Sequence, residues 1–184
     1  YGLAESTLAV SFSGVGKGVV TDVVDGEKLW SEGRAEPAKE GSARASAIVR
    51  CGPAFDAHEV CIFAPDDADS AKPLGEREVG EIRIRGASVM QGYHGDPDAT
   101  RSAFAGGYLR TGDIGYVADG EVYVCGRSKE VVIVNGRNYY PQDIEWEASQ
   151  VEGIRKGNVI AFGTMTGTGD RERVVVAFET SVMD

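Results

Sequence analysis

Apolar residues in this chain come in short runs and in alternation, with little of the three-and-four spacing of amphipathic helices. GEIRIRG (80–86) alternates residue by residue, with Ile82 and Ile84 on one side and Glu81, Arg83 and Arg85 on the other. That period of two predicts a strand with its isoleucines in a core and its three charges on a solvated face. AIVRC (47–51) and EVCIFA (59–64) read as two strands around a turn at Gly52-Pro53. Two further strand-like runs flank Asp119-Gly120, a dipeptide that predicts a tight hairpin. DPDATRSAF (96–104) interrupts the β pattern: Asp96 suits a helix N-cap, Pro97 the first helical position and Asp98 the positive end of the helix.

After Arg127 the pattern changes. VVIV (131–134) predicts a buried strand, and PQDIEWEASQVEG (141–153) a helix with Ile144, Ala148 and Val151 on one face, stopped by Gly153. NVIAFGT (158–164) and RVVVAFE (173–179) read as strands joined by a flexible turn, MTGTGDRE. The second part is therefore β-α-β-β, the fold class mixed α+β, and the boundary is placed near Ser128–Lys129. Residues 14–46, rich in Gly, Ala, Ser and charge, predict a long surface loop or an insertion.

Composition narrows the partners. The chain has 184 residues, enough for one or two domains with a real core, and a formal net charge of -10. That charge argues against general nucleic-acid binding, which needs a positive surface. No apolar run approaches the ~20 residues of a membrane helix, and YGLAEST at the start is not a signal peptide. The absence of a starting Met reads as a fragment or a processed chain. Cys51, Cys61 and Cys125 are too scattered for a zinc site or a disulfide framework and read as buried thiols in a reducing cytoplasm.

The chemistry-bearing stretches are few. SGVGKG (13–18) fails the GxxxxGK[ST] spacing and reads as a flexible loop. In YLRTGD (108–113), Asp113 either caps a turn or accepts two hydrogen bonds from a cis-diol such as a ribose. In GRSKE (126–130), Arg127 and Lys129 belong either to a solvated hairpin end or to a phosphate or sugar site. Glu5, within YGLAES (1–6), is an exposed acid or a ligand to a magnesium ion that also touches phosphate. His58 and His94 stand alone and read as surface or packing residues, so there is no nucleophilic triad.

Taken in order, YGLAES, GEIRIRGASVMQGY, YLRTGD and GRSKEVVIVNGRNYYPQDIE resemble the adenylate-forming superfamily of acyl-CoA synthetases, peptide-synthetase adenylation domains and luciferases. YGLAEST, CGPAF (51–55) and NYYPQDIE look most like its fatty acyl-AMP ligases, and the resemblance covers nearly the whole chain. It implies the β-rich, distorted barrel-like end of a large adenylating domain (1–128) with an insertion-like segment at about 14–50. The β-α-β-β start of a small mobile C-terminal domain (129–184) would follow.

The resemblance further implies that a fatty acid and ATP give acyl-AMP and pyrophosphate, and that the acyl group then passes to an acyl carrier protein. Tyr1, Gly2, Leu3 and Ala4 would lie along the adenine and phosphates, with Tyr1 on the adenine face, and Glu5 would hold Mg²⁺. Asp113 would bind the ribose hydroxyls of ATP or AMP, Arg127 would reach the ribose or phosphate side, and Lys129 would mark the pivot of the small domain. Glu5, Arg127 and Lys129 are thus the expected catalytic residues. The phosphate loop and most of the acyl tunnel would precede Tyr1, and the lysine that contacts the α-phosphate would lie beyond Asp184. The chain alone is therefore expected not to adenylate fatty acids. In the family's fatty acyl-AMP ligases, the insertion matching residues 14–50 is thought to restrain the small domain and disfavour CoA. An acyl-CoA synthetase or amino-acid adenylation domain, and a non-catalytic adenylate-binding or scaffold module, are the alternative readings.

Overall fold

The computed structural model describes residues 1–65, 72–134, 137–165 and 172–180. The chain divides into two compact units, Tyr1–Cys125 and Gly126–Asp184. The first holds β1 (Thr21–Asp25), α1 (Gly26–Ser31), β2 (Ala45–Val49), β3 (His58–Phe63), β4 (Gly80–Gly86), α2 (Pro97–Ala103), β5 (Phe104–Ala105) and β6 (Tyr108–Ala118), and β7 (Glu121–Arg127) runs across the division.

β3, β4, β6 and β5 form one antiparallel sheet in that order, and β7 also pairs with β6. Among the described residues no sheet closes on itself, so the barrel-like expectation becomes an open, β-rich fold. The hairpin expected at Asp119-Gly120 is present. Both residues have positive φ (53° and 74°), the conformation whose twist matches that of the flanking strands. The expected helix is α2, whose N-cap Asp96 accepts a hydrogen bond from the Ala99 N–H at 2.8 Å.

Strand alternation sends side chains of the sheet to two cores. One gathers Val10, Ile62, Ile82, Ile84, Leu109 and Val122. The other gathers Val24, Leu29, Ala35, Ile48, Tyr116, Ala118 and Tyr123. The isoleucines of GEIRIRG face the first core as expected, but its charges are not all in water. Arg83 is completely buried and Glu81 is 5% exposed. The Arg83 guanidinium lies 4.6 Å from the centroid of the Phe63 ring and its Nε donates to Glu81 Oε2 at 2.9 Å, with Arg110 Nε on the same carboxylate at 3.1 Å. Covering a central strand on both faces forces the charges to pair within the sheet rather than with water. Only Arg85 remains exposed, over the Tyr108 ring and paired with Glu59.

Two further expectations change. The strands read at 47–51 and 59–64 do not pair with each other: β2 pairs with β1, and β3 with β4. Between them Gly52 turns with φ 90°, and a Cβ there would lie 2.1 Å from the Phe12 carbonyl oxygen. Residues 14–46 are not a surface loop throughout, because β1, α1 and the connection after α1 supply Val24, Leu29 and Ala35 to the second core. SGVGKG itself is loop, and the element that follows it is β1, not a helix.

Asp22 fastens this segment. Its Oδ2 accepts from the Tyr116 hydroxyl and from Arg77 Nη1, each at 2.9 Å. Burial first, and then the bond to Asp22, pushes the Tyr116 phenol above its ordinary range. An unfolded tyrosine ionises near pH ~10, so this contribution to stability is fully present below that pH and is lost as pH rises above it. The urea midpoint is expected to fall between about pH 8 and about pH 11, and to fall less steeply in Tyr116→Phe. Parallel slopes for the two proteins would show that Tyr116 does not carry the effect.

The second unit contains a 3₁₀ turn (Ser128–Glu130), β8 (Val132–Val134), β9 (Arg137–Tyr139), α3 (Pro141–Ser149), β10 (Ile154–Met165) and β11 (Glu172–Thr180). β8 pairs with β9 and β10 with β11, both antiparallel. The expected β-α-β-β order is present with one strand added, β9. In VVIV, Val132 is buried but Ile133 is exposed, so the run is a half-buried strand. α3 ends at Ser149, earlier than expected, and Val151 lies past it in a turn, 58% exposed. The turn expected over MTGTGDRE falls on 166–171, outside the described residues.

Candidate functional site

Residues 1–11 fold back on themselves. Leu3 is extended, Ala4–Ser6 form a single 3₁₀ turn, and Thr7 and Leu8 take positive φ (52° and 98°) to reverse the chain. The Tyr1 carbonyl accepts from the Val10 and Ser11 N–H groups at 2.9 and 3.0 Å. Gly2 is fixed by this reversal, since a Cβ there would fall 1.5 Å from the Leu8 carbonyl oxygen. Tyr1 and Leu3 pack against the core of Ile82 and Leu109.

Asp113 reaches the same place from β6. The β4–β6 ladder steps from Glu81–Ile114 to Arg83–Arg110, so residues 111–113 bulge opposite Ile82. Gly112, at φ 72°, supplies the left-handed bend, and Thr111 Oγ1 locks it by donating to the Ile82 carbonyl (2.7 Å) and accepting from the Asp113 N–H (3.0 Å). The bulge takes Asp113 out of register, and its carboxylate, 7% exposed, accepts the Tyr1 hydroxyl at 2.5 Å.

Glu5, half-buried, is held at both ends of the residue. Its carbonyl accepts from the Met90 N–H at 2.7 Å and its Oε1 accepts from the Tyr93 hydroxyl at 2.9 Å. That bond raises the Tyr93 phenol above its usual range. Tyr93 and Met90 lie in GEIRIRGASVMQGY, a stretch quoted above for its pattern without any site residue being drawn from it. His94 is exposed, as expected. His58 does not stand alone: its Nε2 lies 2.6 Å from Ser88 Oγ, and its Nδ1 is 3.1 Å from the Asp56 carbonyl oxygen.

The structure thus brings Tyr1 to Asp113 and surrounds Glu5 with the segment after β4. Arg127 and Lys129 belong to the second unit, where both are exposed. Lys129 there lines a cavity of about 440 Å³ together with Val132, Pro141, Glu145, Ile160 and Phe162.

The first-unit residues match the demands of a nucleoside and of magnesium unequally. A carboxylate has two oxygens and several lone pairs, so Asp113 can accept from a diol while keeping Tyr1 in place. Among the described residues no group of three or more His, Cys, Asp or Glu side chains is disposed to hold a metal. Magnesium needs no such cage, because one or two carboxylates with substrate phosphates and water suffice. Glu5 fits as that single carboxylate.

No protein-family model matches the chain. Over its whole length it superposes, with a TM-score of 0.85 and 40% identity, on 32% of a solved chain from a study of fatty acyl-adenylate ligases from E. coli and L. pneumophila. It is 43% identical over 178 residues, 96% of this chain, to a provisionally named acyl-CoA synthetase of Caulobacter vibrioides (strain NA1000 / CB15N). It is 37% identical over 181 residues, 88% of this chain, to a long-chain-fatty-acid–AMP ligase of Mycolicibacterium smegmatis (strain ATCC 700084 / mc(2)155). The chain spans 30% of the length of the first of these relatives and 28% of the second.

Proposed function

This chain belongs to the adenylate-forming superfamily of acyl-CoA synthetases and fatty acyl-AMP ligases, and from that premise we propose that it forms the nucleotide-facing part of a ligase that activates a fatty acid with ATP. In the reaction a fatty-acid carboxylate oxygen attacks the α-phosphorus. The bond to the β-phosphate oxygen breaks, and acyl-AMP and pyrophosphate result. Such a transfer depends on positioning and on neutralising charge rather than on a protein nucleophile.

One observation carries the reading. The Tyr1 hydroxyl meets the Asp113 carboxylate across 112 residues of chain, on a bulge that takes Asp113 out of register. On this reading Asp113 binds the ribose hydroxyls and Tyr1 packs on the adenine. Gly2, Leu3 and Ala4 line the path to the phosphates. Glu5 holds Mg²⁺, which when bound neutralises phosphate charge. Arg127 reaches the ribose or phosphate side from residue 127 of the second unit, and Lys129 is the pivot of a small mobile domain beginning at residue 129. Residues 14–50 are the insertion-like segment of a large domain ending at residue 128. Cys51, Cys61 and Cys125, partly buried rather than fully buried as expected and none in a disulfide, suit a reducing cytoplasm, and among the described residues no helix is long and apolar enough to cross a membrane.

The acceptor is a thiol, either on an acyl carrier protein of a polyketide or peptide synthase or on CoA. The long-chain-fatty-acid–AMP ligase relative favours the first and the acyl-CoA synthetase relative the second. In the full-length protein, pyrophosphate release is expected to require both Mg·ATP and a fatty acid, with acyl-AMP accumulating and CoA left unconsumed. Release with amino acids but not fatty acids would overturn the substrate, and CoA consumption would overturn the acceptor. The 184-residue chain alone is expected to release no pyrophosphate above a blank without protein.

A further inference from the structure

Ser88 lies where three segments meet. Its Oγ is 2.6 Å from His58 Nε2 at the start of β3, and 2.9 Å from Ser6 Oγ and 3.0 Å from the Ser6 carbonyl oxygen in the 3₁₀ turn. Its own carbonyl accepts from Thr7 Oγ1 at 3.1 Å. The same short segment supplies Met90 and Tyr93, which hold the main chain and the carboxylate of Glu5. Beyond the 3₁₀ turn itself, the bonds to the Glu5 carbonyl and carboxylate come from residues 88–93, and His58 ties that segment to β3.

The directions of these bonds follow from chemistry. A carbonyl oxygen only accepts, so His58 Nδ1 carries the hydrogen toward Asp56 and Nε2 is left as an acceptor. The Ser88 hydroxyl has one hydrogen and two acceptors within reach, His58 Nε2 and the Ser6 carbonyl oxygen, so it bridges the strand and the turn, and the Ser6 hydroxyl donates to Ser88. The ring cannot easily move away. His58 pairs with Gly86 across the β3–β4 ladder, and a Cβ at Gly86 would lie 2.3 Å from the imidazole. Glycine there leaves the space that the ring fills.

We propose that His58 and Ser88 are positioning residues for the nucleotide site, holding the Glu5 carboxylate where magnesium and the ATP phosphates bind. This rests on the nucleotide-binding reading above. Neither residue touches substrate; both act through Ser6 and the 88–93 segment.

Calorimetric titration of the full-length protein with Mg·ATP, and separately with AMP, tests it. His58→Ala and Ser88→Ala are expected to weaken Mg·ATP roughly 10-fold, the scale typical of outer partners of a metal ligand, and to change AMP by less than about 2-fold. AMP is spared because Tyr1 and Asp113 hold it. His58→Gln, whose amide can still accept from Ser88, returns most of the lost affinity. Gly86→Ala, which drives the ring off Ser88, reproduces the loss with His58 still present. Equal weakening of AMP and Mg·ATP in these variants would reduce His58 to a fold-supporting residue, and unchanged Mg·ATP affinity would refute positioning altogether. Wild-type protein that binds neither nucleotide removes the functional reading and this inference with it.

Discussion

Asp113→Ala weakens AMP and ATP binding by roughly 100-fold and leaves the protein folded. A bond to a charged group contributes about 1.5–3 kcal/mol, so losing the pair offered to a ribose approaches the ~2.7 kcal/mol that corresponds to 100-fold. In the folded state the Tyr1 hydroxyl loses its acceptor and can turn to water or to the bound sugar. A second ligand separates ribose binding from mere support of Tyr1. Wild-type protein should bind 2′,3′-dideoxy-ATP about as weakly as Asp113→Ala binds ATP, because both lack the same bonds. Asp113→Ala should then not distinguish the two nucleotides. If it still prefers the ribose form by the wild-type margin, Asp113 is a turn residue and the sugar is held elsewhere.

Arg83→Leu should destabilise the first unit by about 3–5 kcal/mol, the cost typical of removing one partner from a buried ion pair. Burial is what makes the effect large, since Arg83 is completely enclosed and Glu81 nearly so. Arg110 still contacts the stranded carboxylate, which places the loss toward the lower end of that range. The double variant Arg83→Leu/Glu81→Leu should recover part of the loss, because the buried carboxylate goes with the guanidinium and the charge that loses its partner, Arg110, is 30% exposed. Urea denaturation of the three proteins measures this. A single variant that loses less than about 1 kcal/mol would mean that the Phe63 face tolerates an apolar side chain as well as a cation.

The same strand shows where the sequence could be read and where it could not. Alternation in GEIRIRG correctly separated its two faces, but period two says nothing about what covers each face. The second face is buried because Phe63 and Arg110 arrive from strands 20 or more residues away in sequence. The Asp119-Gly120 hairpin and α2 were legible because their signals are local: a turn dipeptide needing positive φ and an aspartate cap. β9 was missed although VVIV-Asn135-Gly136-RNYY carries the Asn-Gly dipeptide that ordinarily marks a hairpin. Of the two readings of residues 14–46, the surface loop fails because loop-like composition hid a core contribution of only a few residues, Val24, Leu29 and Ala35.

Tyr1, Glu5 and Asp113 were singled out through motif order; the structure brings Tyr1 to Asp113, and geometry explains why Gly2 and Gly112 stand beside them. Gly2 makes room for the Leu8 carbonyl and Gly112 bends the bulge. The contacts that join His58, Ser88 and Tyr93 to the 3₁₀ turn were not legible. Each is an ordinary residue by itself, and only the fold sets Ser88 between a strand and a turn 82 residues apart in sequence from it.

Asp22 has a consequence for synthesis. It is joined to Arg77, 55 residues onward, and to Tyr116, 94 residues onward. On a ribosome, β1 and β2 emerge long before either partner exists. Until the β6–β7 hairpin has left the exit tunnel, Val24 and Ile48 lack Tyr116, Ala118 and Tyr123, which complete their core. The first unit is therefore a late and slow folder, dominated by distant pairings, and its early residues depend most on being shielded from other chains meanwhile.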